Sequence, residues 1–139
     1  MPEKNIEKRE KILLIDEQSD KPLIGGLEKQ GYEVITCESP QKAWGFVYPT
    51  RPHLIVLHLE EPTSRDIYAL QECRALADGV PVVIATGASR IQAFTKQLGK
   101  GALGFLPLPL KPNATREILH AFERSVTDGP SEPEWGKQL

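Results

Sequence analysis

Five short runs of apolar, often β-branched residues recur along the chain at nearly even spacing. They span residues 12–15, 34–36, 54–59, 80–86 and 102–108. In the third and fourth runs the apolar residues follow one another without alternating with polar ones, as is typical of a parallel strand covered by helices on both faces. The pattern therefore predicts five strands in a sheet with two buried faces.

The segments between these runs carry apolar residues at helical spacing, bounded by residues that start or stop helices. The predicted signals are a stop at Gly31, the Ser39 cap before Pro40, a start near Ser64, a stop at Gly79, the Ser89 start, and a cap at Asn113 or Thr115. The residues expected to face the core are Leu23, Ile24, Leu27, Ala43, Phe46, Val47, Ile67, Leu70, Leu76, Ile91, Phe94, Leu98, Ile118, Leu119 and Phe122.

Strict alternation of strand and helix predicts an α/β fold with a doubly wound, five-stranded parallel sheet, because each crossover is right-handed and places its helix on one face. We expect a flavodoxin-like (βα)5 arrangement with strand order 2-1-3-4-5. In such sheets ligands bind beyond the carboxyl ends of the strands, where the winding direction reverses between strands 1 and 3. This rule selects Asp16, Glu17, His58 and Thr86 as candidate site residues.

The 139 residues suit one domain of ordinary size. We assign residues 1–9 to an N-terminal extension, 10–126 to the domain and 127–139, rich in proline, glycine and acidic residues, to a flexible tail or linker stub. Cys37 and Cys73 lack metal-ligand spacing and are expected to be buried.

Composition narrows the class of protein further. With 40% hydrophobic residues, 26% charged residues and a net charge of −2, the chain is typical of a globular domain and gives no electrostatic support for nucleic-acid binding. No apolar run approaches the roughly 20 residues that span a bilayer, and the charged amino terminus lacks the apolar stretch of a signal peptide. We therefore expect a cytoplasmic protein without membrane contact.

Four segments, in the right order, carry a resemblance to a known family. KILLIDEQSD looks like a first strand ending in an acidic pair, and RPHLIVLHLEEP like a third strand with its proline loop. VPVVIATG resembles a fourth strand ending in a hydroxyl residue, and GALGFLPLP a fifth strand with an aromatic position. Together they resemble the receiver domains of two-component response regulators, over roughly residues 10–126.

The resemblance implies a specific chemistry. In the family, an acidic pair and an aspartate at the end of strand 3 hold Mg²⁺, and the aspartate attacks phosphorus to form an acyl phosphate. A lysine and the metal offset the phosphoryl charge, and the hydroxyl and aromatic residues act as the switch.

Carried over residue by residue, this site is incomplete. His58 stands at the phospho-acceptor position, while Asp16 and Glu17 form the acidic pair, and Thr86 and Phe105 occupy the switch positions. An ungapped count places Leu108 at the lysine position, where a cis peptide with Pro109 is compatible with the sequence. We therefore predict a degenerate pseudo-receiver.

Two alternatives at this site stay open. Lys111, followed by proline, offers a rival alignment for the lysine position but needs three extra residues in strand 5. A carboxylate of Glu60 or Glu61, two or three residues on in the loop after strand 3, either reaches the pocket or, as is usual for a loop carboxylate, is exposed.

His58 and the acidic pair also have simpler interpretations. His58 either hydrogen-bonds Asp16 or Glu17 and neutralises it, or serves as a metal ligand. The acidic pair would otherwise be a solvated strand end. No cofactor is required in this interpretation, and Mg²⁺ binding through Asp16 and Glu17 is expected to be weakened because imidazole is a poor ligand for a hard cation.

The first functional hypothesis is a phosphorylation-independent signalling module, not an enzyme, that contacts a histidine kinase, another receiver or an effector. By resemblance, the partner surface lies at the first helix near Gly25 and Gly26, and a homodimer would use the face of helix 4, strand 5 and helix 5. Gln92, Lys96, Arg116 and Glu123 were considered for that second face. The alternatives are a conventional phosphorelay receiver with a non-standard acceptor such as His58, and a transition-metal sensor or hydrolase.

Overall fold

A computed structural model describes residues 10–43, 45, 51–60, 63–77, 79–98 and 104–128. Strands and helices alternate along this part of the chain. In order, they are β1 (Lys11–Ile15), α1 (Lys21–Lys29), β2 (Glu33–Cys37), α2 (residues 40–43 and 45), β3 (Leu54–His58), α3 (Ser64–Ala77), β4 (Val82–Gly87), α4 (Ile91–Leu98, after a 3₁₀ turn over Ala88–Arg90), β5 (Gly104–Leu108) and α5 (Pro112–Asp128).

The strands form one parallel sheet in the order β2-β1-β3-β4-β5. Ile15 lies opposite Leu57, and His58 opposite Ala85, so the carboxyl ends of the three central strands share one edge. The fold class and strand order predicted from the sequence are confirmed.

Two hydrophobic clusters lie on opposite faces of the sheet because successive strand residues point to opposite sides. Leu13 and Ile15 of β1 belong to the cluster that includes residues of α2, α3 and α4, whereas Ile12 and Leu14 belong to the cluster that includes residues of α1 and α5. On the second face β5 approaches α5 closely, since a Cβ built on Gly104 would lie 2.8 Å from Cε1 of Phe122.

Most of the predicted helix boundaries are confirmed. Gly31 and Gly79 follow α1 and α3 with positive φ angles of 98° and 91°, which glycine adopts at little cost. The hydroxyl of Ser39 accepts the amide of Lys42 at 3.2 Å, as expected of a cap. The sequence analysis missed Asp20, whose carboxylate accepts the Leu23 amide at 3.1 Å and caps α1.

Several predicted boundaries differ from the structure by one or more residues. β3 ends at His58 instead of residue 59, and β4 runs from Val82 to Gly87 instead of starting at residue 80, since Pro81 has no amide for the ladder. Ser89 lies inside the 3₁₀ turn and does not begin α4. α5 begins at Pro112, before both predicted caps, because proline suits the first helical position, and it ends at Asp128.

The described core residues agree with the predicted inward faces. Buried in the structure are Leu23, Leu27, Ala43, Leu70, Phe94, Leu119 and Phe122, while Ile24, Ile91 and Ile118 are half-buried. The side chains of Phe46, Val47, Ile67, Leu76 and Leu98 lie outside the described residues, as do the predicted extension 1–9 and residues 129–139 of the predicted tail 127–139. None of the helices in the described part of the chain combines the length and apolar character needed to cross a bilayer.

Both cysteines are buried and free, as predicted. Burial raises the pKa of the Cys73 thiol to about 12 and also raises the pKa of Cys37. The two thiols therefore stay protonated and behave as small apolar side chains.

Candidate functional site

The structure brings three of the predicted site residues to one edge of the sheet. Asp16 follows β1, His58 ends β3, and Thr86 lies in β4. β1 and β3 are the neighbouring strands between which the winding direction reverses, so the candidate site lies where this fold usually places a ligand.

Asp16 is buried, and its two carboxylate oxygens already accept several hydrogen bonds. Oδ1 accepts the amide of Gln18 at 2.9 Å, and Oδ2 accepts the amide of Asp20 at 2.7 Å. Nδ1 of His58 lies 3.1 Å from Oδ1. Burial alone would raise the pKa of Asp16, but the two amides and His58 outweigh it and lower the pKa below its ordinary value of 3.8.

Of Asp16 and Glu17, the two predicted partners of His58, the histidine contacts Asp16. Its side chain is 9% exposed and faces Asp16, whose side chain is 2% exposed. In this geometry the imidazole of His58 can donate a hydrogen bond to the carboxylate of Asp16. The structure thus brings His58 and Asp16 together as a buried pair.

Glu17 has a different environment from its neighbour. Its carboxylate lies 2.7 Å from the guanidinium of Arg65 at the start of α3, and the two side chains are 69% and 81% exposed. The sequence analysis missed Arg65, since a contact between residues so far apart in sequence leaves no local signal. The acidic pair is therefore divided between a buried histidine and an exposed arginine.

A cavity of about 280 Å³ separates these groups from the loop after β2. Its polar lining residues are Asp16, Glu17, Gln18, Glu38, Ser39, Gln41, His58, Glu60 and Arg65. Glu60 thus lines the pocket, which was one of the open alternatives, whereas Glu61 lies outside the described residues.

The two predicted switch positions are both in the core. Thr86 is fully buried, and within the residues that the structure describes its hydroxyl has no hydrogen-bond partner. Phe105 is half-buried and packs at a tilt of 42° against Phe94, with ring centroids 6.4 Å apart. Thr86 is therefore shielded from solvent, whereas Phe105 packs against the core with part of its surface exposed.

Leu108 ends β5 opposite Gly87, and its peptide bond with Pro109 is cis, as the sequence allowed. Its side chain packs at the margin of the cluster that includes α1 and α5. Lys111 follows the strand as an exposed residue before α5. Of the described residues, neither Leu108 nor Lys111 lines the two cavities that His58 borders.

The donor set does not fit Mg²⁺. A hard cation of this size prefers an octahedron of oxygen ligands, several of them water. Here the third position is an imidazole, three hydrogen bonds reach the oxygens of Asp16, and Glu17 pairs with Arg65. In the described part of the chain, no group of three or more histidine, cysteine, aspartate or glutamate side chains is arranged to hold a metal ion.

Three of the four residues predicted for a dimer face, Gln92, Lys96 and Arg116, are exposed. Gln92 and Lys96 are exposed on α4, but Arg116 of α5 lines a groove beside α1. The side chain of Glu123 is outside the described residues.

Comparison with known protein families identifies the domain. Residues 12–123 match the family model described as the response regulator receiver domain. The transcriptional regulatory protein PrrA of Mycobacterium leprae is 30% identical over 101 residues, which are 71% of this chain and 43% of PrrA. The two-component response regulator-like PRR37 of Oryza sativa subsp. indica is 26% identical over 135 residues, which are 92% of this chain and 18% of that protein. The chain thus spans less than half the length of these relatives.

Solved structures agree on the fold. A response regulator receiver domain protein from Clostridium thermocellum aligns with a TM-score of 0.67 at 20% identity, covering 85% of this chain and 97% of that one. The chemotaxis response regulator CheY4 of Vibrio cholerae aligns with a TM-score of 0.60 at 18% identity, covering 83% and 99%. From the matched family model, the buried site edge and the shared fold, the chain belongs to the family of response regulator receiver domains.

Proposed function

We propose that this receiver domain signals through protein contacts without being phosphorylated at the end of β3. The observation that carries the proposal is the buried contact between Nδ1 of His58 and Oδ1 of Asp16. Phosphoryl transfer to an aspartate needs a carboxylate at the end of β3, and an imidazole held against Asp16 is not that group. The domain is then a signalling module and not an enzyme, and a cytoplasmic location belongs to the same proposal.

Both members of the acidic pair already have partners within the chain, and the partner of Glu17 carries a positive charge. His58 lies against Asp16, and Arg65 pairs with Glu17. In the phosphorylated members that this chain resembles, a divalent cation supplies that positive charge. We therefore propose that no Mg²⁺-dependent step occurs here.

The environment of Leu108 supports the same conclusion. A phosphoryl group needs a cation near its oxygens to offset their charge, and Leu108 supplies none. Its side chain packs against the apolar cluster that includes residues of α1 and α5. A phosphohistidine at His58 would thus be poorly compensated, so the phosphorelay alternative gains no support from this arrangement.

The test is incubation with acetyl phosphate and Mg²⁺, followed by native mass spectrometry at neutral pH, where both acyl phosphate and phosphohistidine survive. We expect the unmodified chain to gain no phosphoryl group. A single labile phosphoryl group on the native chain would refute the proposal and restore a conventional phosphorelay role.

Two variants make the test sharper. His58→Asp restores the carboxylate alone, whereas His58→Asp combined with Leu108→Lys also restores the cation. We expect the double variant to be phosphorylated more readily than the single one, which would identify the two lost groups as the reason for the inactivity of the native chain.

A further inference from the structure

The two edge strands of the sheet differ in how they are protected from pairing with another chain. β5 contains Pro107, which has no amide to donate, and proline at a sheet edge discourages the addition of a further strand. β2 lies at the opposite edge and carries no proline. Within the described part of the chain, β1 is the one strand that pairs with β2, so no described strand lies along its outer side.

The backbone hydrogen bonds show which residues of β2 are directed at this outer side. The amide of Glu33 donates to the carbonyl of the residue before β1 at 2.9 Å, and the carbonyl of Cys37 accepts the amide of the residue after β1 at 2.9 Å. In a parallel ladder, alternate residues of a strand bond to the same neighbour. Every second residue from Glu33 to Cys37 is therefore bonded to β1, and the amides and carbonyls of Val34 and Thr36 point outward.

The side chains of β2 are also suited to strand pairing. Val34, Ile35 and Thr36 are consecutive β-branched residues, which favour extended structure. Val34 and Ile35 are half-buried, each against one of the two hydrophobic clusters, and Thr36 is exposed. The charged residue of the strand is Glu33, at its first position. The centre of this edge thus combines outward backbone groups with uncharged side chains.

We propose that this edge binds the same edge of a second copy of the chain, so that two sheets join through antiparallel β2 strands. A two-fold axis at Ile35 places this residue opposite the partner's Ile35, and Val34 opposite the partner's Thr36. The outward amides and carbonyls of both strands then meet in four hydrogen bonds, two donated by each strand.

The sequence of β2 is compatible with itself across this axis, which favours a second copy over an unrelated extended peptide. Glu33 faces the partner's Cys37, so no like charges within β2 lie directly opposite each other. The two Ile35 side chains lie on the same face of the joined sheet, where they bury apolar surface against each other. The assembly is also closed, because its outer edges are then the two β5 strands with Pro107.

Sedimentation velocity of the full chain over a range of concentrations tests this association. A pair of strands of 5 residues buries less than the roughly 1,200–2,000 Å² of a standard interface, so we expect a weak, reversible dimer with a Kd on the order of 10–100 µM. A chain that stays monomeric up to about 1 mM would overturn the inference.

Thr36→Pro and Thr36→Val form a matched pair of variants at the edge. Proline removes an amide that points away from β1, so two of the four hydrogen bonds between the strands are lost while the ladder to β1 is kept. Valine keeps the amide and the branched shape. We expect the proline variant to dimerise at least about tenfold more weakly than the native chain, and the valine variant to dimerise like it.

Circular dichroism establishes that both variants are folded. Dimerisation that Thr36→Pro leaves unchanged would assign the contact to another surface, such as the face of α4, β5 and α5, and would overturn the inference.

A second pair of variants tests the register and leaves every amide in place, so it is decisive even where Thr36→Pro fails to fold. The two Thr36 side chains of the dimer are diagonal neighbours, within reach of long side chains. We expect Thr36→Lys and Thr36→Glu each to dimerise more weakly than the native chain. An equal mixture of the two should contain more dimer than either variant alone at the same total concentration, with a difference that shrinks as salt is added.

Equal dimer fractions in the mixture and in the separate variants would overturn the two-fold pairing at Ile35. The dimer needs no phosphoryl group at His58, so sedimentation and the phosphorylation assay are independent. A native chain that is phosphorylated but still dimerises through β2 would refute only the proposed function.

Discussion

Nδ1 of His58 lies 3.1 Å from Oδ1 of Asp16, and this contact joins the ends of the two strands between which the winding of the sheet reverses. The neighbouring residue Glu17 carries the same charge but pairs with Arg65 at the surface. Two adjacent carboxylates thus have unlike partners and unlike burial, which makes them matched probes of the site.

We expect Asp16→Asn to lower the free energy of unfolding by about 2 kcal/mol, because the amide group cannot accept hydrogen bonds at both of its polar atoms. Glu17→Gln should lower it by less than about 1 kcal/mol, since its ion pair is exposed. Urea unfolding at neutral pH measures both values. Equal losses in the two variants would contradict the burial assigned to Asp16.

The lowered pKa of Asp16 predicts how stability depends on pH. The folded protein holds this carboxyl ionised to a lower pH than the unfolded chain does, so its contribution is fully present above the unfolded pKa, near 3.8. Below about pH 4 the unfolded state binds more protons, and stability falls as the pH approaches the folded pKa.

Urea unfolding of the native chain and Asp16→Asn, from neutral pH downwards, tests this dependence. The two free energies of unfolding should converge as the pH falls below about 4, because the variant has already lost the charge-dependent contribution. Glu17→Gln is the control and should follow the native curve at a small offset. A constant difference between the native chain and Asp16→Asn across this range would argue against the lowered pKa.

Most substitutions in a protein core lower stability, but the buried hydroxyl of Thr86 predicts an exception at this position. Thr86→Val keeps the shape of the side chain and removes a hydroxyl without a partner in the described structure, so we expect no loss, or a gain of about 1 kcal/mol. Thr86→Ser keeps the hydroxyl and removes a buried methyl group, and should cost about 1 kcal/mol. Thermal unfolding measures the stability of both variants. A destabilised valine variant would mean that the hydroxyl has a hydrogen-bond partner in solution.

Gly104 predicts a steric effect. Gly104→Ala would place its methyl group 2.8 Å from the ring of Phe122, and we expect a loss of about 1–3 kcal/mol. Gly45→Ala, at an open helical position, should instead be neutral or stabilising. Adding Phe122→Leu to Gly104→Ala should cost less than the sum of the two single changes, because the shorter side chain relieves the contact.

The fold was predictable because its signals are local. The unbroken apolar run in β3 predicted a strand covered on both faces, and each residue from Leu54 to Leu57 is indeed buried. Gly31 and Gly79 correctly predicted helix ends, because the positive φ angles that follow these helices favour glycine. The start of α4 predicted at Ser89 was wrong, because a residue that suits a helix cap also suits the 3₁₀ turn that precedes α4.

The site was only partly predictable because its contacts depend on tertiary structure. The residue types at positions 16, 58 and 108 were evident from the sequence. The hydrogen bonds from Gln18 and Asp20 to Asp16 depend on a turn in which Ser19 has a φ angle of 56°, and residue periodicity carries no signal for such a turn. Arg65 meets Glu17 only after β1 and β3 have paired, so its role required the folded structure.

The histidine at the end of β3 also determines how long a signal from this domain lasts and what sets its strength. An acyl phosphate limits the duration of a signal, because one reaction forms it and another hydrolyses it. Under the proposed function His58 has no such bond to make or lose, so the state of this domain lasts as long as the polypeptide itself. Occupancy of its partner then follows mass action, and the rates of synthesis and degradation of the protein take the place of a kinase and a phosphatase in setting the strength of the signal.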